Sequence, residues 1–174
     1  MAGVLVMARR FDMAFDSPVG VGDILSAFAD DDYWQARLAA FENGTATLNG
    51  LTVEPSGAVT VDLAVKLFAD RLPTAVTKLA GGEFGMARIE RWSWIDDERA
   101  CGAIEVAVPR APVTAHGDVL LTPSPTGSQL RFSTTVDVAV PLVGGFIENF
   151  IIGRLGDDIG AVQRFTDAWI AANG

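Results

Sequence analysis

Three residue types that carry much of protein chemistry are nearly missing here: there is a single cysteine, Cys101, a single histidine, His116, and a single tyrosine, Tyr33. One cysteine rules out an intrachain disulfide and fits a reducing cytoplasm, the expected location. One histidine rules out His-rich catalytic constellations. A zinc site would need His116, Cys101 and carboxylates together, so neither a metal nor another cofactor is expected. Basic residues are also scarce, 13 against 22 acidic ones, for a net charge of −9. Nucleic-acid binding rests on Lys and Arg neutralising phosphates, and anionic lipid surfaces repel acidic chains, so both partners are poorly served. The only run of basic residues is Arg9-Arg10. No stretch reaches the roughly 18 apolar residues of a membrane span. The N-terminal Ala2–Ala8 is too short, and its basic pair follows the apolar run instead of preceding it, unlike a signal peptide. Residues 1–8 read as an N-terminal extension, with Met1 and Met7 as alternative starts, and 9–174 as a single domain.

Apolar residues make up 49% of the 174, enough for one good core. In "RRFDMAFDSP", Phe11, Met13 and Phe15 alternate with polar partners, which predicts a strand ended by Ser17-Pro18. Two short helices follow, joined by an acidic corner at Asp30–Asp32. Asp23 is the expected cap of the first, which carries Ile24, Leu25 and Phe28. Tyr33, Trp34, Arg37, Leu38 and Phe41 recur at helical spacing in the second.

Six strand-like segments then run from Thr45 to Pro141, with Gly, Pro, Asn and Asp at the breaks, Asn49-Gly50 and Pro55-Ser56-Gly57 among them. Val59, Val61, Leu63, Val65 and Leu67 share one face, as do Leu130, Phe132, Thr134, Val136, Val138 and Val140. One dry and one wet face is the antiparallel pattern. Within "ADRLPTAVTKLAGG", Ala75, Val76, Leu79 and Ala80 predict a helical turn or two that would cover a mouth, with Pro73 in the first turn. Phe146–Ala172 predicts a long helix, its stripe running through Ile147, Ile151, Leu155, Ile159, Val162, Phe165 and Trp169. Gly153, Gly156 and Gly160 each weaken that helix by about 1 kcal/mol relative to Ala, in exchange for close approach or a kink.

Gly144-Gly145 opens this helix but lacks the lysine and spacing of a phosphate loop, so it reads as a corner between strand and helix. Asp30–Asp32 are consecutive, without the alternation of a calcium loop, and read as a solvated helix corner. Cys101 reads as a small buried hydrophobe, with a Cys101–His116 pair as the reactive alternative. Arg88, Glu90 and Glu105 are expected to face water. One of them turned inward would anchor a ligand. Trp92 and Trp94 share the face of Glu90, either as core or as the wall of a cavity.

A curved antiparallel sheet and a long apolar helix must bury their dry faces on each other. The layout resembles the helix-grip, or START-like (SRPBCC), superfamily from Arg9 onward: α+β, about seven strands around a C-terminal helix, with two short helices after strand one. Four stretches, "FDMAFDSP", "DDYWQARL", "VPLVGGFIE" and "FTDAWIA", are similar to an actinobacterial branch, domain of unknown function 2505. The resemblance implies a cavity for a hydrophobic small molecule, and makes Gly144, Gly145 and Glu148 features of the strand-to-helix junction. It supplies no catalytic set. Expected cavity-lining residues are Leu63, Val65, Trp92, Trp94, Phe132, Thr134, Val136, Val138, Ile147, Ile151 and Leu155. The leading expectation is a carrier or sensor of a lipid or polyketide-like molecule. A cyclase or dehydratase is the first alternative, with Glu90, Glu105, His116 and Thr134 as acid–base candidates. The second is a ligand-free structural or dimerisation module, which leaves a homodimer open.

Overall fold

The computed structural model describes residues 9–79, 84–109 and 111–174. The expected extension at 1–8, and Ala80 of the expected helical turn, lie outside the described residues. β1 (Arg9–Ser17) leads into α1 (Val21–Phe28) and α2 (Asp31–Ala39). A meander follows: β2 (Gly44–Val53), β3 (Val59–Leu67), β4 (Phe84–Trp94), β5 (Ala100–Ala107), β6 (Val113–Ser124) and β7 (Gly127–Val138). Between β3 and β4 lie a 3-10 turn (Ala69–Arg71) and α3 (Thr74–Leu79). α4 (Gly144–Asn173) closes the chain. The seven strands form one sheet in the order β1-β7-β6-β5-β4-β3-β2, every neighbouring pair antiparallel. This is the helix-grip architecture.

Three local expectations change. Asp23 sits in the first turn of α1, whose N-cap is Gly20 without a side-chain bond. The acidic corner is a helix start: the Asp30 carboxylate accepts from the Asp32 amide at 2.9 Å, and Asp31 and Asp32 occupy the first turn of α2. Carboxylates there cap free amides and complement the helix dipole, which accounts for the triplet without a cation. Asn49-Gly50 is no hairpin turn but a bulge inside β2, where the register shifts between Leu48 and Gly50. The hairpin itself turns at Pro55-Ser56-Gly57, with Gly57 at φ +86°.

At the β7–α4 corner, Leu142 adopts φ +72° and stands fully exposed. Gly144 lies so close to the Val138 carbonyl that a Cβ would collide with it. Glu148 fastens this corner. Its Oε1 accepts from the Val138 amide at 3.2 Å, and its Oε2 lies 3.4 Å from the Arg9 guanidinium. The Glu148 carboxylate thus ties α4 to the end of β7 and to Arg9, as a strand-to-helix corner requires. Further along, Gly156 faces Phe11 and Met13, and Gly160 faces Phe15, so the glycine edge of α4 brings it close to β1.

Strand register sorts the side chains. Phe11, Met13 and Phe15 of β1 share the inner face with Phe132, Thr134, Val119, Ile104, Trp92, Glu90, Arg88, Val61 and Leu63. Two buried clusters occupy this interior. One gathers α1, α2 and one end of the sheet around Ile24, Phe28, Tyr33, Trp34, Trp92 and Leu121. The other gathers Val76 of α3, Phe84, Val113, Val136, Val138 and Ile147 at the opposite end. Among the described residues no helix is long and apolar enough to cross a membrane.

Candidate ligand site inside the grip

Between the two clusters the inner wall is not closed. Arg88, Ile104, Val106, Ala115 and Thr134 point inward from β4, β5, β6 and β7 yet stay half-buried, whereas Val61, Leu121 and Val136 on the same wall are fully buried. β5 lies inside the sheet, flanked by β4 and β6. Inward side chains on such a strand are reached by solvent only through the interior. Val106 and Thr134 belong to neither cluster, and Ile159 and Val162 of α4 are likewise half-buried and outside both. The apolar midsection is therefore accessible while both ends are packed.

One wall of this midsection is polar. Arg88, Glu90 and Trp92 alternate along β4 on the inner face. Arg88 donates to Glu90 Oε1 at 2.8 Å, and Trp92 Nε1 donates to Glu90 Oε2 at 3.0 Å. Arg37 of α2 approaches Glu90 Oε1 at 3.4 Å and stacks over the Trp34 ring at 4.6 Å. The Tyr33 and Thr166 hydroxyls lie 2.7 Å apart, and Thr166 donates to the Val162 carbonyl, so the Tyr33 hydroxyl is the donor in that pair. α2, β4 and α4 are thereby joined through side chains that no local sequence signal connects.

The expectation that Arg88 and Glu90 face water is overturned. Glu90 is fully buried, and burial works to raise its carboxyl. Arg88 and Arg37, with the hydrogen bonds from Trp92 and Arg88, outweigh that effect and hold it below the usual glutamate range. Desolvation raises the Tyr33 phenol despite the opposing charge of Arg37, so it stays neutral. The cluster holds two guanidinium cations and one carboxylate, a net charge of +1.

Two of the other acid–base candidates, Glu105 and His116, are elsewhere. Glu105 is exposed and paired with Arg91 at 3.3 Å, and His116 is exposed beside Asp118 at 3.2 Å, both on the outer face. Cys101 is half-buried there against Ser93, opposite Leu120, whereas His116 lies opposite Glu105. The reactive Cys101–His116 pair does not form. A shallow open depression on the outer face, lined by Arg10, Asp12, Cys101, Asp118 and Arg131 among others, lies across the sheet from the midsection.

Of the expected lining residues, Phe132, Thr134, Ile151 and Leu155 are half-buried. Leu63 and Trp92 are buried in the cluster near α1 and α2, and Val136, Val138 and Ile147 in the opposite one. Val65 is buried on the inner face of β3. Trp94 is 38% exposed at the end of β4, close over Gly57 in the β2–β3 turn, away from the midsection. Sequence reasoning missed Tyr33, Arg37, Ile104, Val106 and Thr166 as interior residues. Alternation on β4 was the available signal: once Trp92 is inward, so are Glu90 and Arg88.

Comparison with known proteins bears on the family and the fold. The family model described as Protein of unknown function (DUF2505) matches residues 12–170. The uncharacterized protein Rv0481c of Mycobacterium tuberculosis is 33% identical over 173 residues, covering 96% of this chain and 99% of its own. The uncharacterized protein Mb0491c of Mycobacterium bovis matches to the same extent. Among solved structures, a Thalictrum norcoclaurine synthase point mutant in complex with a transition-state analogue superposes with a TM-score of 0.58 at 13% identity, covering 98% of this chain and 99% of that one. Protein Ms6760 from Mycobacterium smegmatis gives 0.55 at 12% identity, covering 97% and 98%. At such identities the likeness establishes the fold alone.

Proposed function

The chain belongs to the DUF2505 family, and from that premise and the interior just described we propose that it binds a hydrophobic small molecule, of lipid or polyketide size, between the sheet and α4. The observation that carries this reading is the half-buried state of Val106, outside both clusters, and of Ile104 at the edge of the first, on an interior strand. Apolar walls left open to solvent lose about 25 cal/mol for each Å² that a ligand would cover. A filled structural core would bury them already.

Carriage or sensing is favoured over cyclase or dehydratase chemistry by the state of Glu90. A general base near neutral pH needs a carboxyl tuned upward and within reach of its proton. Glu90 is tuned downward and hydrogen-bonded on both oxygens. Thr134, the other inward candidate, is not hydrogen-bonded to an acid or base among the described residues. The single cysteine supports a cytoplasmic setting, and the small molecule is the partner this reading requires.

Native mass spectrometry of the protein purified from an actinobacterial host tests the proposal. A reproducible bound mass, released as an apolar compound on denaturation, is expected. Protein that is repeatedly ligand-free, and that takes up no apolar probe, would contradict it.

A further inference from the structure

Arg88 is the most exposed member of the polar cluster: its side chain is 31% exposed, against 11% for Arg37 and 1% for Glu90. Its Nε and Nη2 edge is turned to Glu90 Oε1, at 2.8 Å in each case. By register it stands between Leu63 and Val106 on the inner face, diagonal to Ile104. A guanidinium therefore lies at the edge of an apolar, accessible midsection. Among the described residues its one paired anion is Glu90, and it shares that anion with a second cation, because Arg37 approaches the same Glu90 oxygen at 3.4 Å. Buried charge is costly unless paired, and one carboxylate does not balance two guanidinium groups.

We propose that the ligand is an amphiphile with a carboxylate head, which Arg88 receives while its apolar tail lies against Ile104, Val106 and Thr134. This rests on the midsection being a ligand site, as argued above, and adds the chemistry of the ligand. The carboxylate would bring the cluster of Arg37, Arg88 and Glu90 to neutrality. Arginine suits the task because its planar fork offers donors to two carboxylates at once.

The probe pair is 11-(dansylamino)undecanoic acid and its methyl ester, titrated by fluorescence at neutral pH. They differ in the head charge and share the tail. The acid is expected to bind about tenfold or more tightly than the ester, the scale of a charge-assisted hydrogen bond. Arg88→Met should erase that preference, read as the ratio of acid to ester affinity, and Arg88→Lys should retain part of it. Glu90→Gln, which frees Arg88 from its present partner, should enlarge it. Should the variants fail to fold, the acid–ester comparison on the unaltered protein decides alone. Equal affinity for acid and ester would overturn the carboxylate inference and leave the apolar site standing. Failure of both probes to bind would overturn the site and the inference together.

Discussion

The hydroxyl of Tyr33 donates to the hydroxyl of Thr166 across 2.7 Å, joining residues 133 positions apart. Both side chains are buried, so the bond ties α2 to the last turns of α4 where water does not compete. The Tyr33 ring also meets Trp169 edge-on, with centroids 5.4 Å apart. Tyr33→Phe should keep the ring contacts and lose only the hydrogen bond. Thr166 retains its bond to Val162, so the expected cost is about 1 kcal/mol, read as a lowered urea midpoint at unchanged slope.

Glu90 makes stability depend on acid. Its carboxyl titrates lower in the folded protein than in the unfolded chain. Between those two values the unfolded chain binds more protons. The stabilisation is therefore complete above the unfolded value and is lost as pH falls toward the folded one. Urea melts from neutral pH downward should show stability declining once pH drops through the ordinary glutamate range. Glu90→Gln should shallow that decline and lower stability at neutral pH by about 1–3 kcal/mol, because two guanidinium groups, one of them partly solvated, lose their anion.

Two glycines should respond in opposite ways to alanine. A Cβ at Gly102 would collide with the buried Trp92 ring, whereas a Cβ at Gly153 meets nothing within 4 Å. Gly102→Ala is expected to destabilise by about 1–3 kcal/mol and to perturb the near-ultraviolet signal of Trp92. Gly153→Ala is expected to stabilise by about 0.5–1 kcal/mol through helix propensity alone. Thermal melts of the two variants distinguish a packing glycine from an incidental one.

The strands and the final helix were legible because their dry faces repeat at period two and at three-to-four spacing. The strand pattern from Val59 to Leu67 and the apolar stripe of α4 state their partners without further information. The polar cluster was hidden for a physical reason. A charged residue on a strand is ordinarily solvated, and the features that make Glu90 different are Arg37, 53 positions away, and Arg88 on its own strand. Pairing through space leaves no local mark. Asp23 was misread as a cap for a related reason. Asp is favoured both at the N-cap and, through the helix dipole, in the first turn, and the extended backbone angles of Gly20 decide between them here.

The central claim is that the space flanked by Ile104, Val106 and α4 receives an apolar molecule. Methyl NMR of Ile, Leu and Val side chains during titration with neutral 1-aminoanthracene tests it most directly. The predicted result is saturable shifts at the Ile104, Val106 and Ile159 methyls, with little change at Ile24, Val59 and Leu121 in the closed cluster. Absence of shifts at saturating probe, or shifts confined to the exposed Leu142 and Val143 at the β7–α4 corner, would contradict the account.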